Sequence, residues 1–163
     1  MGKQKKAAKT NAVRMLEKEN IPYELMEYDV EDGLLDGVSV AEKTGQEAST
    51  VFKTLVTMAE REFFVFIIPV AEELNLKKAA KAAGVKKLEM LPLKDLTKET
   101  GYVKGGCSAI GMKKKFPTFI DESAAELPYI IVSAGKVGLQ MKLKPNDLLT
   151  AAEASFHDLV KEE

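Results

Sequence analysis

Lys53 is the side chain that the sequence places best for chemistry. It lies in the run Val51-Phe52-Lys53-Thr54-Leu55, in which strand alternation puts Val51, Lys53 and Leu55 on one face. An ammonium group between two apolar neighbours can bind a carboxylate, a carbonyl oxygen or a phosphate. The same pattern also fits an ordinary lysine on a solvent-facing edge, so periodicity alone leaves both interpretations open.

Two glycine-rich segments are candidates for contact with a ligand. The first runs from Gly101 to Gly111, and the second contains Gly135 and Gly138. Glycines allow positive φ in turns, which is the simpler interpretation of both segments. They also let backbone amides approach the oxygens of an anion or of a developing oxyanion, and spacing does not decide between the two roles.

The composition removes several familiar kinds of active site. The chain has one histidine, His157, and one cysteine, Cys107, too few for the usual zinc ligand sets. A histidine triad would need His157 to reach back from the C-terminal tail, so we interpret it as a solvated or capping residue. The two common glycine-rich nucleotide-binding motifs, Gly-x-x-x-x-Gly-Lys-Ser/Thr and Gly-x-Gly-x-x-Gly, do not occur in the sequence. We therefore expect no metal, no cofactor and no central role for histidine acid–base chemistry.

Cys107 is the only thiol and lies in the first glycine-rich segment. A nucleophilic cysteine needs a base or a lowered pKa, and no histidine lies within this segment. Lys104 and the lysines that follow the segment could lower the thiol's pKa somewhat. We predict that Cys107 has a packing role and is not the catalytic nucleophile.

Helices and strands alternate along the chain, as hydrophobic periodicity and turn residues indicate. Helices are predicted after Thr10, between Ser39 and Gly45, after Asn75, after Pro92 and after Pro145, the last of them followed by a charged tail. Strands are predicted over residues 23–30, 52–58, 62–68, 87–90, 118–121, 129–133 and 139–143. Hairpins interleaved with helices predict an α/β (α+β) fold, with a mixed, mostly antiparallel sheet curled towards a barrel and helices around it.

The length of 163 residues predicts one domain over residues 1–163, with a basic, flexible lead-in over residues 1–9. With 24 Lys and Arg against 25 Asp and Glu, the net charge is −1, so nucleic-acid binding must come from local patches. Lys113, Lys114 and Lys115 form one such patch, although such runs are commonly solvated faces. No apolar run approaches the roughly 20 residues of a membrane span, so we expect a cytoplasmic protein that does not associate with membranes.

Four segments taken together resemble the YbaK/EbsC family: residues 51–55, 76–81, 101–111 and 132–139. Their order and spacing match the family over nearly the whole chain. The family contains the bacterial Cys-tRNA(Pro) deacylases and is similar to the editing domain of many bacterial prolyl-tRNA synthetases. The resemblance implies a fold of this type and an enzyme that removes cysteine from mischarged Cys-tRNA(Pro), with the substrate's own thiol attacking its ester.

The resemblance also implies roles for particular residues. Lys53 matches the family's catalytic lysine, and Tyr28, Thr54, Gly101 and Ser133 match its substrate-binding positions. It implies charged tRNA(Pro) as a partner, a transient partnership with prolyl-tRNA synthetase, and a monomer without a cofactor. Two alternatives stay open: a deacylase for Ala- or Ser-tRNA, and a non-catalytic module that binds tRNA or an aminoacyl group.

The chain departs from the family pattern at several positions in the expected pocket loops. Ala109 stands where proline is usual, Ala134 where glycine is common, and Gln140 where aspartate is frequent. The family's loop phenylalanine has no aromatic counterpart, and Leu34 or Leu35 is the nearest apolar substitute. These departures bear on amino-acid specificity more than on reaction type.

Overall fold

The computed structural model describes residues 9–162, so the predicted lead-in lies outside the described residues except for Lys9. The described part contains five α-helices: α1 (Asn11–Lys18), α2 (Gly37–Lys43), α3 (Leu76–Ala83), α4 (Leu93–Thr100) and α5 (Pro145–Ala152). It contains eight strands: β1 (Glu24–Glu27), β2 (Phe52–Ala59), β3 (Glu62–Pro69), β4 (Glu89–Met90), β5 (Thr118–Asp121), β6 (Ile130–Lys136), β7 (Leu139–Leu143) and β8 (Ala154–His157).

The strands form two sheets. The first has the order β1-β7-β6 and is antiparallel, and the second has the order β4-β2-β3-β5-β8. In the second sheet β2 pairs antiparallel with β3 and β4, whereas β5 pairs parallel with β3 and β8. A parallel bridge between Val51 and Ile131 joins the sheets. The predicted mixed, mostly antiparallel α/β class is therefore confirmed, with the strands divided between two sheets.

Alternation along β6 and β7 separates a core face from a second face that matters for the site. The core-facing residues pack against α1 and α5 in a buried cluster: Ile130, Val132, Ala134, Leu139, Met141 and Leu143. Full burial of each large side chain contributes about 1.5–3 kcal/mol. Because side chains alternate, Ser133 and Gln140 lie on the opposite face, directly across from each other in the β6–β7 register.

A second cluster fixes the other sheet. Phe64, Phe66 and Ile68 of β3 pack against Ala79 and Ala80 of α3. Asn75 caps α3 by accepting hydrogen bonds from the Lys77 and Lys78 amides, and Gly84 ends the helix in the left-handed region, as the sequence predicts. The β2–β3 hairpin that carries Lys53 is thus held in place by its packing against α3.

The start of α2 differs from the prediction. The sequence predicted a helix that begins at Ser39, but the N-cap is Asp36, whose carboxylate accepts a hydrogen bond from the Ser39 amide at 3.1 Å. Asp36 is itself a preferred N-cap residue with the right spacing to Ser39. The helix consequently starts at Gly37, where a Cβ would lie 2.4 Å from Cγ1 of Val70. Glycine therefore permits α2 to sit against the end of β3.

The C-terminal tail was predicted wrongly as a charged extension. Residues 154–157 form β8, which pairs parallel with β5, and Leu159 is fully buried. The carboxylate of Asp121 accepts a hydrogen bond from the Leu159 amide at 3.0 Å. His157 is half-buried with its ring 5.4 Å from that of Phe119, and its Nε2 lies 2.8 Å from the Ser155 hydroxyl, so it is part of the sheet edge. The four-residue strand is too short for its periodicity to stand out in the sequence.

No helix within residues 9–162 combines the length and apolar character needed to cross a membrane.

Candidate functional site

A cavity of about 410 Å³ lies where the two sheets meet, a volume in the range of small-molecule binding sites. Its polar lining comes from β2, β6, β7 and the loops beside them: Tyr28, Asp36, Lys53, Thr54, Lys104, Ser133 and Gln140. Its apolar lining is Leu35, Val38, Val40, Val51, Phe52, Leu55 and Val70, and Gly37, Gly105 and Cys107 complete the wall. The structure therefore brings together four of the five predicted catalytic and substrate-binding residues, namely Lys53, Tyr28, Thr54 and Ser133.

Lys53 carries a half-buried ammonium group into this cavity. Within residues 9–162 the ammonium has no ion pair and no hydrogen bond. Burial lowers its pKa below the ordinary value of 10.5, and the attraction of Glu73 and Glu72 opposes that shift. A cation that is partly desolvated and lacks a partner is suited to bind an anionic or carbonyl oxygen.

Ser133 and Gln140 form the wall contributed by the first sheet. The Ser133 hydroxyl oxygen accepts a hydrogen bond from the Gly135 amide at 3.1 Å, which leaves its own O–H free to donate into the cavity. Gln140 is 7% exposed, and its Oε1 is buried without a hydrogen-bond partner among the described residues.

Tyr28 and Thr54 flank this arrangement. The Tyr28 amide donates to the carbonyl of Gly138 at 3.0 Å, which attaches the end of β1 to the β6–β7 turn. The Lys43 ammonium lies 5.7 Å from the centre of the Tyr28 ring and pairs with Asp32 at 2.8 Å. The loop after β1 is thereby tied to α2. Thr54 follows Lys53 on β2 and is also half-buried in the lining.

The first glycine-rich segment closes the cavity on another side. Tyr102 is buried, and its hydroxyl donates to the carbonyl of Ile110 at 2.6 Å, which holds the two ends of the loop together. A Cβ on Gly106 would lie 2.7 Å from the amide nitrogen of Val137. Gly106 therefore allows the loop to pack directly on the β6–β7 turn, and this packing places Gly105 and Cys107 in the cavity wall.

Gly101 is outside the cavity lining. It ends α4 with φ +87°, and its amide donates to the Thr97 carbonyl at 2.8 Å. A structural role is enough to explain the glycine at this position, because the residue that ends α4 adopts the left-handed backbone conformation, which glycine favours. A role for Gly101 in substrate binding stays a prediction, and one that the cavity does not support.

The lysine run also lies away from the cavity. Lys113, Lys114 and Lys115 are all exposed. The Lys113 ammonium donates to the Lys98 carbonyl at 3.2 Å, and Lys115 forms an ion pair with Glu153. Lys114 and Lys115 border a small hollow of about 70 Å³ beside α5. Their contact with tRNA stays a prediction.

Cys107 is buried in the wall, and burial raises the pKa of its thiol to about 12, although a hydrogen bond with Thr100 opposes this shift. A thiol with this pKa is almost entirely protonated near neutral pH. This environment supports the prediction of a packing role.

Several lining residues were not predicted from the sequence. Lys104 and Asp36 approach the cavity from loops, and loop paths leave no periodic signal. Leu35 lines the cavity where the sequence left Leu34 and Leu35 as alternatives. Gln140 was noticed only as a departure from the family pattern, whereas its place opposite Ser133 follows from the strand register.

A groove of about 960 Å³ beside the β2–β3 turn is larger than the cavity. Its polar lining consists of the charged, exposed side chains Glu60, Arg61, Glu62, Lys86, Lys87 and Glu89. None of these groups has the unpaired, half-buried character of Lys53, so the cavity between the sheets is the better candidate site. Among residues 9–162, no group of three His, Cys, Asp or Glu residues is placed to hold a metal ion.

The chain has relatives among known proteins. The model of the aminoacyl-tRNA editing domain family matches residues 36–151. Over 164 residues the chain is 48% identical to a protein of Enterococcus faecalis named "Putative Cys-tRNA(Pro)/Cys-tRNA(Cys) deacylase EbsC", and the match covers 100% of both chains. The chain belongs to the aminoacyl-tRNA editing domain family, which confirms the resemblance identified from the sequence.

Solved structures agree on the fold. One is described as "a putative trans-editing enzyme for prolyl tRNA synthetase"; it matches with a TM-score of 0.83 at 22% identity, over 96% of this chain and 100% of that one. Another comes from a study of epitope grafting onto scaffold proteins and matches with a TM-score of 0.84 at 21% identity, over 94% and 96% of the two chains. These likenesses show that the architecture is shared.

Replacement of Gly106 tests the packing of the glycine-rich loop. We expect Gly106→Ala to lower the free energy of unfolding by about 1–3 kcal/mol, because the new Cβ would overlap the backbone of residues 136–137. The control is Val103→Ala, an exposed position in the same loop, which should change it by less than about 0.5 kcal/mol. Chemical denaturation measures both, and equal effects would contradict the close approach.

Replacement of Lys53 tests whether its ammonium is held at a cost to stability. The pKa of Lys53 in the folded protein is below its value in the unfolded chain. Between these two pKa values the unfolded chain binds more protons than the folded protein. The wild type therefore gains stability as pH rises through that window. We expect Lys53→Met to raise the melting temperature by about 1–3 °C near pH 7, with the difference shrinking towards pH 10.5. The control is Lys87→Met, at an exposed position. A lower melting temperature for Lys53→Met would show that the ammonium is stabilised by a partner.

Replacement of Cys107 tests its packing role. Because its thiol is protonated at neutral pH, Cys107→Ala should retain most deacylation activity and lose about 1 kcal/mol of stability through the small cavity created. Activity on charged tRNA and thermal unfolding are measured together. Loss of activity in a folded variant would contradict the packing role and would call for a search for a covalent acyl-enzyme.

Proposed function

We propose that this protein removes cysteine from mischarged Cys-tRNA(Pro), by cleavage of the ester that joins the amino acid to the terminal adenosine. The observation that carries the proposal is the unpaired, half-buried ammonium of Lys53 in the cavity of an aminoacyl-tRNA editing domain. The full-length match to a relative whose name states this activity supports the choice of substrate.

The proposed reaction needs no nucleophile from the protein, because the substrate supplies its own. The substrate thiol attacks its own ester carbonyl and gives up its proton, so that a C–S bond forms and the negative charge moves to the carbonyl oxygen. The C–O ester bond then breaks, and the electron pair leaves with the tRNA oxygen, which takes up a proton. The products are a cyclic thiolactone and free tRNA, and correct placement of thiol and carbonyl supplies much of the acceleration.

Lys53 would stabilise the oxyanion that develops on the carbonyl. A preorganised positive charge in a partly desolvated site is worth far more than in water, because no solvent has to reorganise. Thr54, Ser133 and Tyr28 would hold the amino acid and the terminal nucleotide against it. Lys53, Thr54, Ser133 and Tyr28 all line the same cavity, which supports these four proposed roles.

Two ionisable groups of the lining are unsuited to activate water. Asp36 caps α2, and hydrogen bonds with Ser39 keep the pKa of its carboxyl low, which makes it a poor base. The Cys107 thiol has a pKa raised to about 12. Alanine and serine esters would need a base to activate water, and in this lining that base would have to be Lys53 in its uncharged form. A substrate that brings its own thiol leaves Lys53 free to act as a cation, and the comparison of charged tRNAs below separates the two cases.

A free-standing editing step has a physical reason. A synthetase pocket sized for proline rejects a similarly small residue weakly, because a difference of one methylene is worth only about 1–3 kcal/mol. We propose that the protein works in the cytoplasm as a monomer on charged tRNA, with transient help from prolyl-tRNA synthetase. At a net charge of −1 its own affinity for tRNA is weak, and Lys113, Lys114 and Lys115 are the proposed phosphate contacts.

Deacylation of three charged tRNAs tests the proposal. Wild-type protein is mixed with Cys-tRNA(Pro), Ser-tRNA(Pro) and S-methylated Cys-tRNA(Pro), and the loss of aminoacyl ester is followed over time. We expect rapid loss from Cys-tRNA(Pro) alone, because only that substrate carries a free thiol. Equal turnover of all three would point to an enzyme-activated water, and no turnover of any would favour a non-catalytic binding module.

A further inference from the structure

Exposed lysines surround the glycine-rich loop beside the cavity. Four of them form what we call the lysine surface: Lys98, Lys104, Lys113 and Lys136. We propose that the lysine surface binds the phosphates of the nucleotides that precede the terminal adenosine, so that the 3′ strand of the tRNA leaves the cavity across the glycine-rich loop. The inference rests on the proposed function and adds the path of the nucleic acid to it.

Contacts at the start of the glycine-rich loop bring three of these lysines together. Lys104 is exposed and also lines the cavity. The Lys113 ammonium donates to the Lys98 carbonyl at 3.2 Å, and a Cβ on Gly101 would lie 3.2 Å from Cγ of Lys113. Gly101 is three positions before Lys104, so their Cα atoms are at most about 11 Å apart. The surface therefore begins at the cavity and continues to the end of α4.

Lys136 extends the lysine surface on the side of the β6–β7 turn. Gly106 is two positions after Lys104 and packs so closely on this turn that its Cβ would lie 2.9 Å from Cα of Lys136. The ion pairs within residues 9–162 use other lysines, so the four ammonium groups lack a carboxylate partner. Neighbouring unpaired ammonium groups attract a ligand with several negative charges in a row, such as a nucleic-acid backbone.

Another part of the cavity lining belongs to an acidic segment. Residues 24–47 contain eight Asp and Glu residues and one lysine, whereas residues 76–115 contain eleven lysines and three Asp and Glu residues. Asp29 and Glu31 are exposed in the loop after β1, and Asp36 at the end of this loop lines the cavity. A polyanion is repelled from this loop and attracted to the lysine surface. The net charge of −1 conceals this asymmetry because the two segments offset each other.

The proposed substrate has a matching distribution of charge. With the ester at Lys53, the rest of the tRNA lies outside a cavity of about 410 Å³, and each preceding nucleotide brings one phosphate. Lys104 lines the same cavity as Lys53, so a strand that leaves past Lys104 next meets the other three lysines. A strand that leaves past Asp36 meets carboxylates instead. The charges on the two sides thus select one direction for the strand.

Paired lysine substitutions test this path. The double variant Lys98→Gln/Lys136→Gln removes two charges of the lysine surface, at positions outside the cavity lining. The matched control Lys77→Gln/Lys81→Gln removes two charges from exposed positions on α3, which is also outside that lining. Each protein is assayed for kcat/KM on Cys-tRNA(Pro) at several salt concentrations, and on the cysteine ester of adenosine, which carries no phosphate.

We expect Lys98→Gln/Lys136→Gln to lose about threefold or more per lysine of the wild-type preference for tRNA over the adenosine ester at low salt. The slope of log kcat/KM for tRNA against log salt should become shallower by about 0.7 per lysine, as for contacts with a single strand. The control pair should keep the wild-type preference and slope. Equal losses in both pairs would overturn the inference, because tRNA would then respond only to total charge.

Binding of deacylated tRNA(Pro), measured by fluorescence anisotropy, separates this inference from the proposed function. If wild type cleaves neither substrate, the proposed function fails, and weaker binding by Lys98→Gln/Lys136→Gln than by the control pair would still support the lysine surface. If wild type cleaves Cys-tRNA(Pro) and Lys98→Gln/Lys136→Gln keeps the wild-type preference, salt slope and tRNA affinity, the function stands and the inference is overturned.

Discussion

The burial of the Lys53 ammonium without a counter-ion is the constraint on which the site depends. A lysine near the start of a strand would normally extend into solvent. Here the first sheet, α2 and the glycine-rich loop enclose Lys53. The carboxylates that act on it, Glu73 and Glu72, offset the effect of burial without reversing it. The charge therefore stays available for a ligand, and the surrounding fold supplies the stability to keep it so.

Three structural features maintain that enclosure. The Val51–Ile131 bridge fixes the distance between the two sheets, and Gly37 lets α2 approach Val70 closely. Gly106 lets the glycine-rich loop rest on the β6–β7 turn. The bridge and the Gly106 approach are backbone contacts, whereas Gly37 packs against the Val70 side chain. Together they let a small domain form a cavity from separate segments of its chain. The two core clusters behind the sheets make these contacts rigid.

Much of this arrangement could be predicted from the sequence, because periodicity and capping residues are local signals. The β2–β3 hairpin, the α3 helix between Asn75 and Gly84, and the β6–β7 pair were all predicted close to their observed positions. Lys53 was recognised as a candidate for the same reason, since alternation alone placed it between apolar neighbours. The β8 strand was missed because a four-residue strand that pairs in parallel with β5 depends on a partner about 35 residues away.

The candidate site residues Tyr28, Thr54 and Ser133 came from the resemblance to the family, because periodicity alone singled out only Lys53. The fold then brings them together: Lys53, Thr54 and Ser133 lie on β2 and β6, and Tyr28 follows β1. Gly101 matches the family pattern in sequence, but its conformation serves the end of α4. Asp36 and Lys104 lie in connecting segments, whose paths are set by tertiary packing, and only the folded structure places them in the lining.

In the proposed reaction an unpaired lysine, rather than a protein nucleophile or base, promotes ester cleavage. Single-turnover deacylation of Cys-tRNA(Pro) by wild type, Lys53→Met and Lys53→Arg measures this role, with Lys87→Met as a control for the loss of one surface charge. We expect Lys53→Met to lose about 10²–10³-fold in rate, the size expected when a group that stabilises an oxyanion is removed. Lys53→Arg should also be slow, because a planar guanidinium does not replace a compact ammonium. A rate for Lys53→Met close to that of wild type and Lys87→Met would show that the Lys53 ammonium is not needed for ester cleavage.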